Sequence, residues 1–205
     1  MHIKDCKRVV IKIGSSSLTF DSGKPNLRKI EKLARVVSDL KNSGKEVVMV
    51  SSGAIAVGVG RLGLKERPTT TRGKQAAAAI GQCDLMSIYD RFFSEYGYVP
   101  AQILITRDVI DNEERRNNVI NTIEALLELD AIPVINENDS VSFEEILFGD
   151  NDRLSAIVAD LSGADGLVIM TDIDGYYDSN PKENEDARLI GRVKEITDEM
   201  IDAAG

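Results

Sequence analysis

The chain has 205 residues, of which 42% are hydrophobic and 29% charged, and its net charge is −9. This length suffices for one globular domain with a proper core, and the acidic charge disfavours a nucleic-acid partner, which needs clustered Lys and Arg. His2 is the single histidine, which excludes histidine-based triads and zinc sites. Cys6 and Cys83 lie far apart without a C-x-x-C motif, and no apolar run approaches membrane-spanning length. We therefore expect a cytoplasmic protein without membrane contact.

The first part of the chain predicts a strand, a helix and a second strand. Residues 8–13 are rich in β-branched side chains, as in a strand covered on both faces. Asn26 is placed to cap a helix whose apolar residues follow a spacing of three and four until Gly44 stops it, and 45–50 is the second strand. A unit of this length predicts parallel strands joined by a right-handed connection.

Both strands end in loops of small residues, Gly14-Ser15 after Lys12 and Ser51-Ser52-Gly53-Ala54 after the second strand. Such a loop, with a lysine at the strand end, brings backbone N–H groups and positive charge against a phosphate. An ordinary strand-to-helix turn with a snorkelling lysine gives the same pattern. Ligands of open parallel sheets collect at these strand ends, so both loops are candidate binding segments.

Two glycine motifs do not predict a nucleotide site. Gly58, Gly60 and Gly63 match G-x-G-x-x-G, but a dinucleotide fingerprint belongs directly after the first strand. We interpret these glycines as positions that allow close packing or break a short helix. The segment Gly73-Lys74-Gln75 lacks the Ser or Thr that completes a P-loop.

The rest of the chain continues the alternation of helices and strands. A long helix is predicted over 71–95, and we assign its methionine and aromatic side chains to packing. Further strands are predicted over 99–105, 131–135 and 165–170, and further helices over 111–129, from Arg153 and from Thr197. We therefore predict a three-layer α/β/α sandwich around a mostly parallel sheet, with a β-hairpin excursion near 136–150.

A polar cluster interrupts this pattern after the fourth strand. It consists of Asn136, Glu137, Asn138, Asp139, Asp150, Asn151 and Asp152. Buried carboxylates and amides need partners for every lone pair and donor, so the cluster is either a solvated hairpin or a pocket for a polar ligand. Together with the loops at 12–17, 51–54 and 171–177, it places a lysine and several acids at strand ends. That combination favours phosphoryl transfer, which needs positioning and charge neutralisation more than a protein base.

Five segments together resemble the amino acid kinase superfamily. They are Val10–Ser15, Ser51–Ile55, Val134–Asp139, Phe148–Asp152, and Thr171-Asp172 followed by Gly175 and Tyr177. The paired motifs N-E-N-D and G-D-N-D resemble the branch that phosphorylates the γ-carboxylate of L-glutamate to L-glutamyl 5-phosphate, the first step of proline biosynthesis. The resemblance implies ATP and Mg²⁺ as cofactors, proline as a feedback inhibitor, and a homo-oligomer, either a dimer or a tetramer.

The resemblance also implies roles for individual residues. Lys12 and Asp152 are implied as catalytic, the lysine on the transferring phosphoryl group and the acid as its organiser. Implied substrate-binding residues are Ser52, Asp139, Asn151, Gly53, Ala54 and Asn136. Implied nucleotide-binding residues are Lys12, Gly14, Ser15, Thr171, Asp172 and Tyr177. A turn or a helix cap is the alternative interpretation of Thr171 and Asp172, and Mg²⁺ is expected through the ATP phosphates rather than through a side-chain site.

The family pattern continues past the equivalent of Gly205 into a glycine-rich nucleotide loop with a second phosphate-contacting lysine, and in many members into a PUA domain. We therefore expect residues 1–205 to be an amino acid kinase domain that lacks its C-terminal nucleotide-binding part, binds glutamate or proline, and turns over poorly. Two alternatives stay open. One is a sister kinase for another small acid, such as acetylglutamate, aspartate or a nucleoside monophosphate, and the other is a non-catalytic glutamate- or proline-binding regulatory module.

Overall fold

One sheet organises the computed structural model of the chain, which describes residues 2–106, 108–141, 151–181, 183–198 and 200. Its strands are β1 (Arg8–Ile13), β2 (Glu46–Ser51), β3 (Pro100–Ile105), β4 (Ile132–Glu137) and β5 (Gly166–Met170). In the described residues these strands are all parallel, in the order β3-β4-β2-β1-β5. The helices are α1 (Ser15–Leu18), α2 (Leu27–Asn42), α3 (Ala54–Leu62), α4 (Thr71–Ser94), α5 (Asp108–Asp111), α6 (Glu113–Glu128) and α7 (Asn151–Leu161).

The register of the sheet brings the strand ends to one edge. Ile13 at the end of β1 pairs with Ser51 on one side and with Met170 on the other. Val50 pairs with Ile135, so β4 ends beside β2. Because the strands are parallel, the segments that follow β1, β2, β4 and β5 all leave the sheet at this edge.

Side chains alternate between two cores, one on each face of the sheet. Val9, Ile11 and Ile13 of β1 pack in a cluster with buried side chains of α2 and α4. Val10 belongs to a second cluster, which includes side chains of α6 and α7. This period of two is that of a strand buried on both faces, and it fixes which helix each strand residue faces. The predicted fold class is confirmed.

Local signals explain several element boundaries. The Asn26 side chain accepts a hydrogen bond from the backbone N of Lys29 at 3.2 Å, as expected of the cap of α2. One difference from the sequence prediction lies before α6, where a single helix was expected over 111–129. Asn112 is extended there and its side chain caps α6, which separates α5 from α6.

The glycines of the false dinucleotide motif are packing and terminating residues, as predicted. A Cβ atom on Gly58 would stand 1.9 Å from the carbonyl oxygen of Ala77, so only glycine lets α3 and α4 approach this closely. Gly63 ends α3 with a φ of 64°.

Two compact units divide the chain, Met1–Thr171 and Asp172–Gly205. The first contains the sheet and α1 to α7. In the second, Tyr177 and Leu189 form an isolated antiparallel bridge. The hairpin predicted near 136–150 falls mostly on 142–150, outside the described residues, as does most of the helix predicted from Thr197. Among the described helices, none has the length and apolar character needed to cross a membrane.

Candidate active site

An ion pair between a buried lysine and a half-exposed aspartate lies at this edge of the sheet. Nζ of Lys12 lies 2.5 Å from Oδ1 of Asp152, and the two side chains are 5% and 43% exposed, respectively. Lys12 follows Val10 by two residues, so it faces the same side of the sheet, where α7 begins. Asp152 lies in the first turn of α7, where the helix dipole favours a carboxylate. Strand alternation and helix placement together create this predicted catalytic pair.

The loop after β1 lies against the same ammonium group. A Cβ atom placed on Gly14 would stand 3.6 Å from Nζ of Lys12, in ordinary van der Waals contact. Gly14 precedes α1 with extended backbone, and Ser15 is the first, exposed residue of that helix. Gly14 therefore lies beside this positive charge, and Ser15 follows it at the start of α1.

Ser52, directly after β2, contacts Asn151, the first residue of α7. Nδ2 of Asn151 donates to Oγ of Ser52 at 2.8 Å and to the carbonyl oxygen of Ser51 at 2.7 Å. The hydroxyl of Ser51 in turn contacts that of the fully buried Tyr89 at 2.9 Å. Burial raises the pKa of the Tyr89 phenol, so it stays neutral and acts as a fixed dipole. Hydrogen bonds within the chain therefore hold Ser52 and Asn151, two of the predicted substrate-binding residues, in place.

Gly53 and Ala54 form the turn into α3. Gly53 has a φ of 93°, in the left-handed region that favours glycine, and it directly precedes the helix. Ala54 is buried. These two residues determine how the chain leaves β2, and thereby where Ser52 stands.

Asn136 is a buried member of the polar cluster, with an exposure of 3%. Its Oδ1 accepts from Nδ2 of Asn151 at 3.1 Å and from its neighbour, the backbone N of Glu137, at 2.9 Å. Its Nδ2 donates to Oε1 of Gln82 at 3.0 Å. Side-chain hydrogen bonds within the chain therefore bring together Asn136, Asn151 and Ser52. They also include Gln82, which the motifs did not predict.

A cavity of about 420 Å³ lies beside this group. Gln82, Gln102, Ala54, Asp139 and Glu137 contribute to its wall. Burial raises the pKa of the half-buried Asp139 carboxyl, and the positive charge of Arg67 partly opposes that shift. Asp139 is thus a carboxylate whose charge an arriving cation would stabilise.

The remaining predicted nucleotide-binding residues, Thr171, Asp172 and Tyr177, are divided between the two units. Thr171 is exposed and ends the first unit. Asp172 and Tyr177 belong to the second unit, where the Tyr177 hydroxyl donates to Oδ1 of Asp174 at 2.6 Å. That hydrogen bond raises the pKa of Tyr177 and lowers that of Asp174.

One feature of the sequence indicated that Gln82 has a buried polar partner. Gln82 lies three residues before Leu85 and seven before Tyr89, on the apolar face of a long helix, and a polar residue at such a position requires a polar partner. The identity of that partner depends on the sheet register, which spacing alone does not specify.

Comparisons with known proteins identify the family of the chain. The model of the amino acid kinase family matches residues 7–205. The chain therefore belongs to the amino acid kinase family.

Within the family it is similar to proteins named glutamate 5-kinase. It is 57% identical to that of Clostridium perfringens, with 99% of this chain and 77% of the relative covered. The corresponding identities are 53% for Listeria innocua, with 75% of the relative covered, and 50% for Enterococcus faecalis, with 76% covered; each match includes 99% of this chain.

Solved structures support the fold. The product complex of the isopentenyl phosphate kinase of T. acidophilum superposes with a TM-score of 0.60 at 20% identity, covering 89% of this chain and 78% of that one. A substrate complex of isopentenyl phosphate kinase gives a TM-score of 0.58 at 22% identity, covering 90% and 77%. At these identities the likeness concerns the fold alone.

Proposed function

We propose that the chain transfers the γ-phosphoryl group of ATP to the γ-carboxylate of L-glutamate, giving L-glutamyl 5-phosphate and ADP, the first step of proline biosynthesis. The observation that supports this most is the ion pair of the buried Lys12 with Asp152, at the sheet edge where Ser52 and Asn151 also meet. Similarity to glutamate 5-kinases from three organisms supports the choice of acceptor.

The chemistry requires charge compensation rather than a base. A γ-carboxylate with an ordinary pKa is already ionised at neutral pH, so one of its oxygens attacks phosphorus directly as the bond to ADP breaks. Lys12 is proposed to offset the negative charge on the transferring phosphoryl group, and Asp152 to hold its ammonium in place. A preorganised charge in a site that excludes water is effective because it does not reorient during the reaction.

The polarity of the Ser52–Asn151 pair matches an amino acid. Since Nδ2 of Asn151 is engaged with protein oxygens, the atom this amide offers to a ligand is Oδ1, an acceptor suited to an α-ammonium group. Oγ of Ser52 accepts from Asn151, so its own O–H is available to donate to a carboxylate. We propose that Asp139 adds a negative charge on the ammonium side, with Asn136, Gly53 and Ala54 holding the pocket in shape.

The nucleotide side of the proposal rests more on sequence resemblance. Gly14 and Ser15 are proposed to contact phosphate because Gly14 lies beside the ammonium group of Lys12 and Ser15 follows it at the start of α1. Thr171, Asp172 and Tyr177 are proposed nucleotide-binding residues on their motif alone. Mg²⁺, a hard cation that prefers oxygen ligands, would be bound through the ATP phosphates and would neutralise charge there.

The family resemblance also supports proposals about regulation, assembly and location. We propose that proline inhibits the enzyme, that the chain forms a dimer or tetramer, and that it works in the cytoplasm. Inhibition is tested by adding proline to the glutamate assay below, and assembly by the mass of the purified protein in solution.

A substrate panel scored by ADP release tests the proposed reaction. Glutamate should support release, whereas aspartate, acetylglutamate and a nucleoside monophosphate should not. Ser52→Ala should raise KM for glutamate about tenfold, as expected for loss of a hydrogen bond to a charged group. Ser94→Ala is the matched control, since the Ser94 hydroxyl bonds only locally to the Arg91 carbonyl at the exposed end of α4. Release with another acid of the panel but not with glutamate would indicate a sister kinase, and glutamate binding without ATP binding would indicate a regulatory module.

A further inference from the structure

Gln82 is a polar side chain buried within an apolar helix face. It is 8% exposed, and Leu85 and Tyr89 on the same face of α4 are fully buried. Its amide makes two hydrogen bonds. Nε2 donates to Oε1 of the exposed Gln102 at 3.2 Å, and Oε1 accepts from Nδ2 of Asn136 at 3.0 Å. Neither bond is needed by the helix itself, so the side chain serves the end of β4.

A chain of amides connects Gln82 to Asn151, one of the proposed substrate-binding residues. It runs from Gln102 through Gln82 and Asn136 to Asn151. The backbone N–H of Glu137 sets its sense, because it only donates and therefore requires Oδ1 of Asn136 to face it. Gln82 and Gln102 must then be oriented as observed, and the nitrogen of Asn151 faces Asn136, the same orientation that the carbonyl oxygen of Ser51 requires at 2.7 Å.

Strand alternation explains why this contact exists. Val134 packs in the core that includes α4, and Asn136 follows it by two residues, so its side chain faces α4 as well. At that level of α4 the facing side chain is Gln82. An apolar residue there would leave the buried NH₂ group of Asn136 without this acceptor.

We infer that Gln82 is a positioning residue for the substrate amide. Together with the backbone N–H of Glu137 it restrains the Asn136 side chain. Oδ1 of Asn136 acts with the carbonyl oxygen of Ser51 and the hydroxyl of Ser52 to hold the nitrogen of Asn151 inward, which keeps Oδ1 of Asn151 directed to the α-ammonium group of glutamate. This inference rests on the proposed function. Water entering from the neighbouring cavity could replace the lost acceptor, but water both donates and accepts, so it would not impose one orientation.

Three variants separate positioning from packing. Gln82→Leu removes both hydrogen bonds, whereas Gln82→Glu keeps an acceptor toward Asn136 and presents its second oxygen to Gln102, whose exposed amide turns to donate. Gln102→Leu is the matched control, because it removes only the hydrogen bond of the amide chain that is farthest from Asn151. Titration calorimetry with L-glutamate and, separately, with ATP measures the affinities of the full chain, and thermal unfolding confirms that each variant is folded. Gln82→Met, of similar volume, repeats the test if Gln82→Leu does not fold.

Gln82→Leu should raise the Kd for glutamate about tenfold, the loss expected when a charge-assisted hydrogen bond is weakened. Gln82→Glu and Gln102→Leu should stay within about threefold of the wild type, and ATP affinity should not change, because the amide chain does not include Lys12. Wild-type affinity in both Gln82→Leu and Gln82→Met would overturn the inference, as would equal losses in Gln82→Leu and Gln102→Leu or a parallel loss of ATP binding. A wild-type chain that does not bind glutamate would overturn the proposed function and this inference with it, so the two failures are distinguishable.

Discussion

In the Lys12–Asp152 ion pair, removing the acid and removing the base should have very different effects on stability and activity. At 2.5 Å and an effective dielectric constant of 20, the gross attraction of the two charges is about 7 kcal/mol. Solvent screening at the half-exposed carboxylate and the desolvation of the lysine offset most of it. What remains depends on which charge is left behind, because only the lysine is deeply buried.

Removing the acid should cost more stability than removing the base. Asp152→Asn leaves the buried ammonium without this counter-charge, and we expect the free energy of unfolding to fall by about 2 kcal/mol, below the range for a fully buried pair. Lys12→Met replaces the ammonium with an apolar chain of similar length and leaves a carboxylate whose Oδ1 is buried but whose side chain is 43% exposed, so a small rotation brings it into water. We expect a change of less than about 1 kcal/mol.

Activity should show the opposite order. Lys12→Met removes the charge proposed to face the phosphoryl group and should lower kcat about 10²- to 10³-fold, as does loss of one preorganised donor in other enzymes. Asp152→Asn keeps the ammonium but loosens it, and we expect about a tenfold loss. Urea unfolding and ADP release measure the two effects in the same preparations. If Lys12→Met is destabilised as strongly as Asp152→Asn, or keeps its kcat within tenfold, the reasoning is refuted.

Three further changes test the packing and the electrostatics of the first unit. Gly81→Ala would place a Cβ atom 1.8 Å from the carbonyl oxygen of Ala54, and separating α3 from α4 to accommodate it should lower the free energy of unfolding by about 1–3 kcal/mol. Burial raises the pKa of Asp139, so folding favours its protonated form and its contribution to stability is lost as the pH rises through the folded pKa. Asp139→Asn, which mimics the neutral form, should gain stability relative to wild type as the pH rises from acid to neutral. A hydrogen bond from the backbone N–H of Arg8 is the chief cause that lowers the pKa of Asp165. The contribution of Asp165 to folding stability is therefore present above the unfolded pKa and lost as the pH falls through the folded pKa. Asp165→Asn should be less stable than wild type at neutral pH and equally stable in acid.

Chemical unfolding across a pH series measures all three. Gly191→Ala is the control for Gly81→Ala, because a Cβ atom at Gly191 has no heavy atom within 4 Å. An unchanged Gly81→Ala would contradict the close helix contact. A pH-independent difference from wild type in either aspartate variant would contradict the assigned pKa shift.

Much of the sheet was predictable because local patterns determine it. The first strand was predicted over 8–13 and is observed as Arg8–Ile13, since a continuous β-branched run permits little else. The long helix predicted over 71–95 is observed as Thr71–Ser94. Strand order was not predictable in this way, because it depends on how distant segments pack.

The candidate site was likewise predictable from the sequence only in part. The loops at the strand ends were predicted from spacing, and the roles of Asn151 and Asp152 came from family resemblance. Spacing alone could not show that Lys12 faces α7 or that Asn136 faces Gln82, because these contacts require both the side-chain alternation of a strand and the placement of a particular helix over it. Long-range hydrogen bonds are therefore the part of the site that only a three-dimensional structure supplies.

Trapping the acyl phosphate tests the central claim most directly. The full chain is incubated with ATP, Mg²⁺, L-glutamate and hydroxylamine, which converts glutamyl 5-phosphate to a stable hydroxamate, so even slow turnover accumulates product. We predict hydroxamate that increases with time, depends on glutamate, and falls at least about 100-fold in Lys12→Met. Absence of hydroxamate with glutamate, or equal formation by Lys12→Met, would contradict the assignment of this sheet edge as the site of phosphoryl transfer.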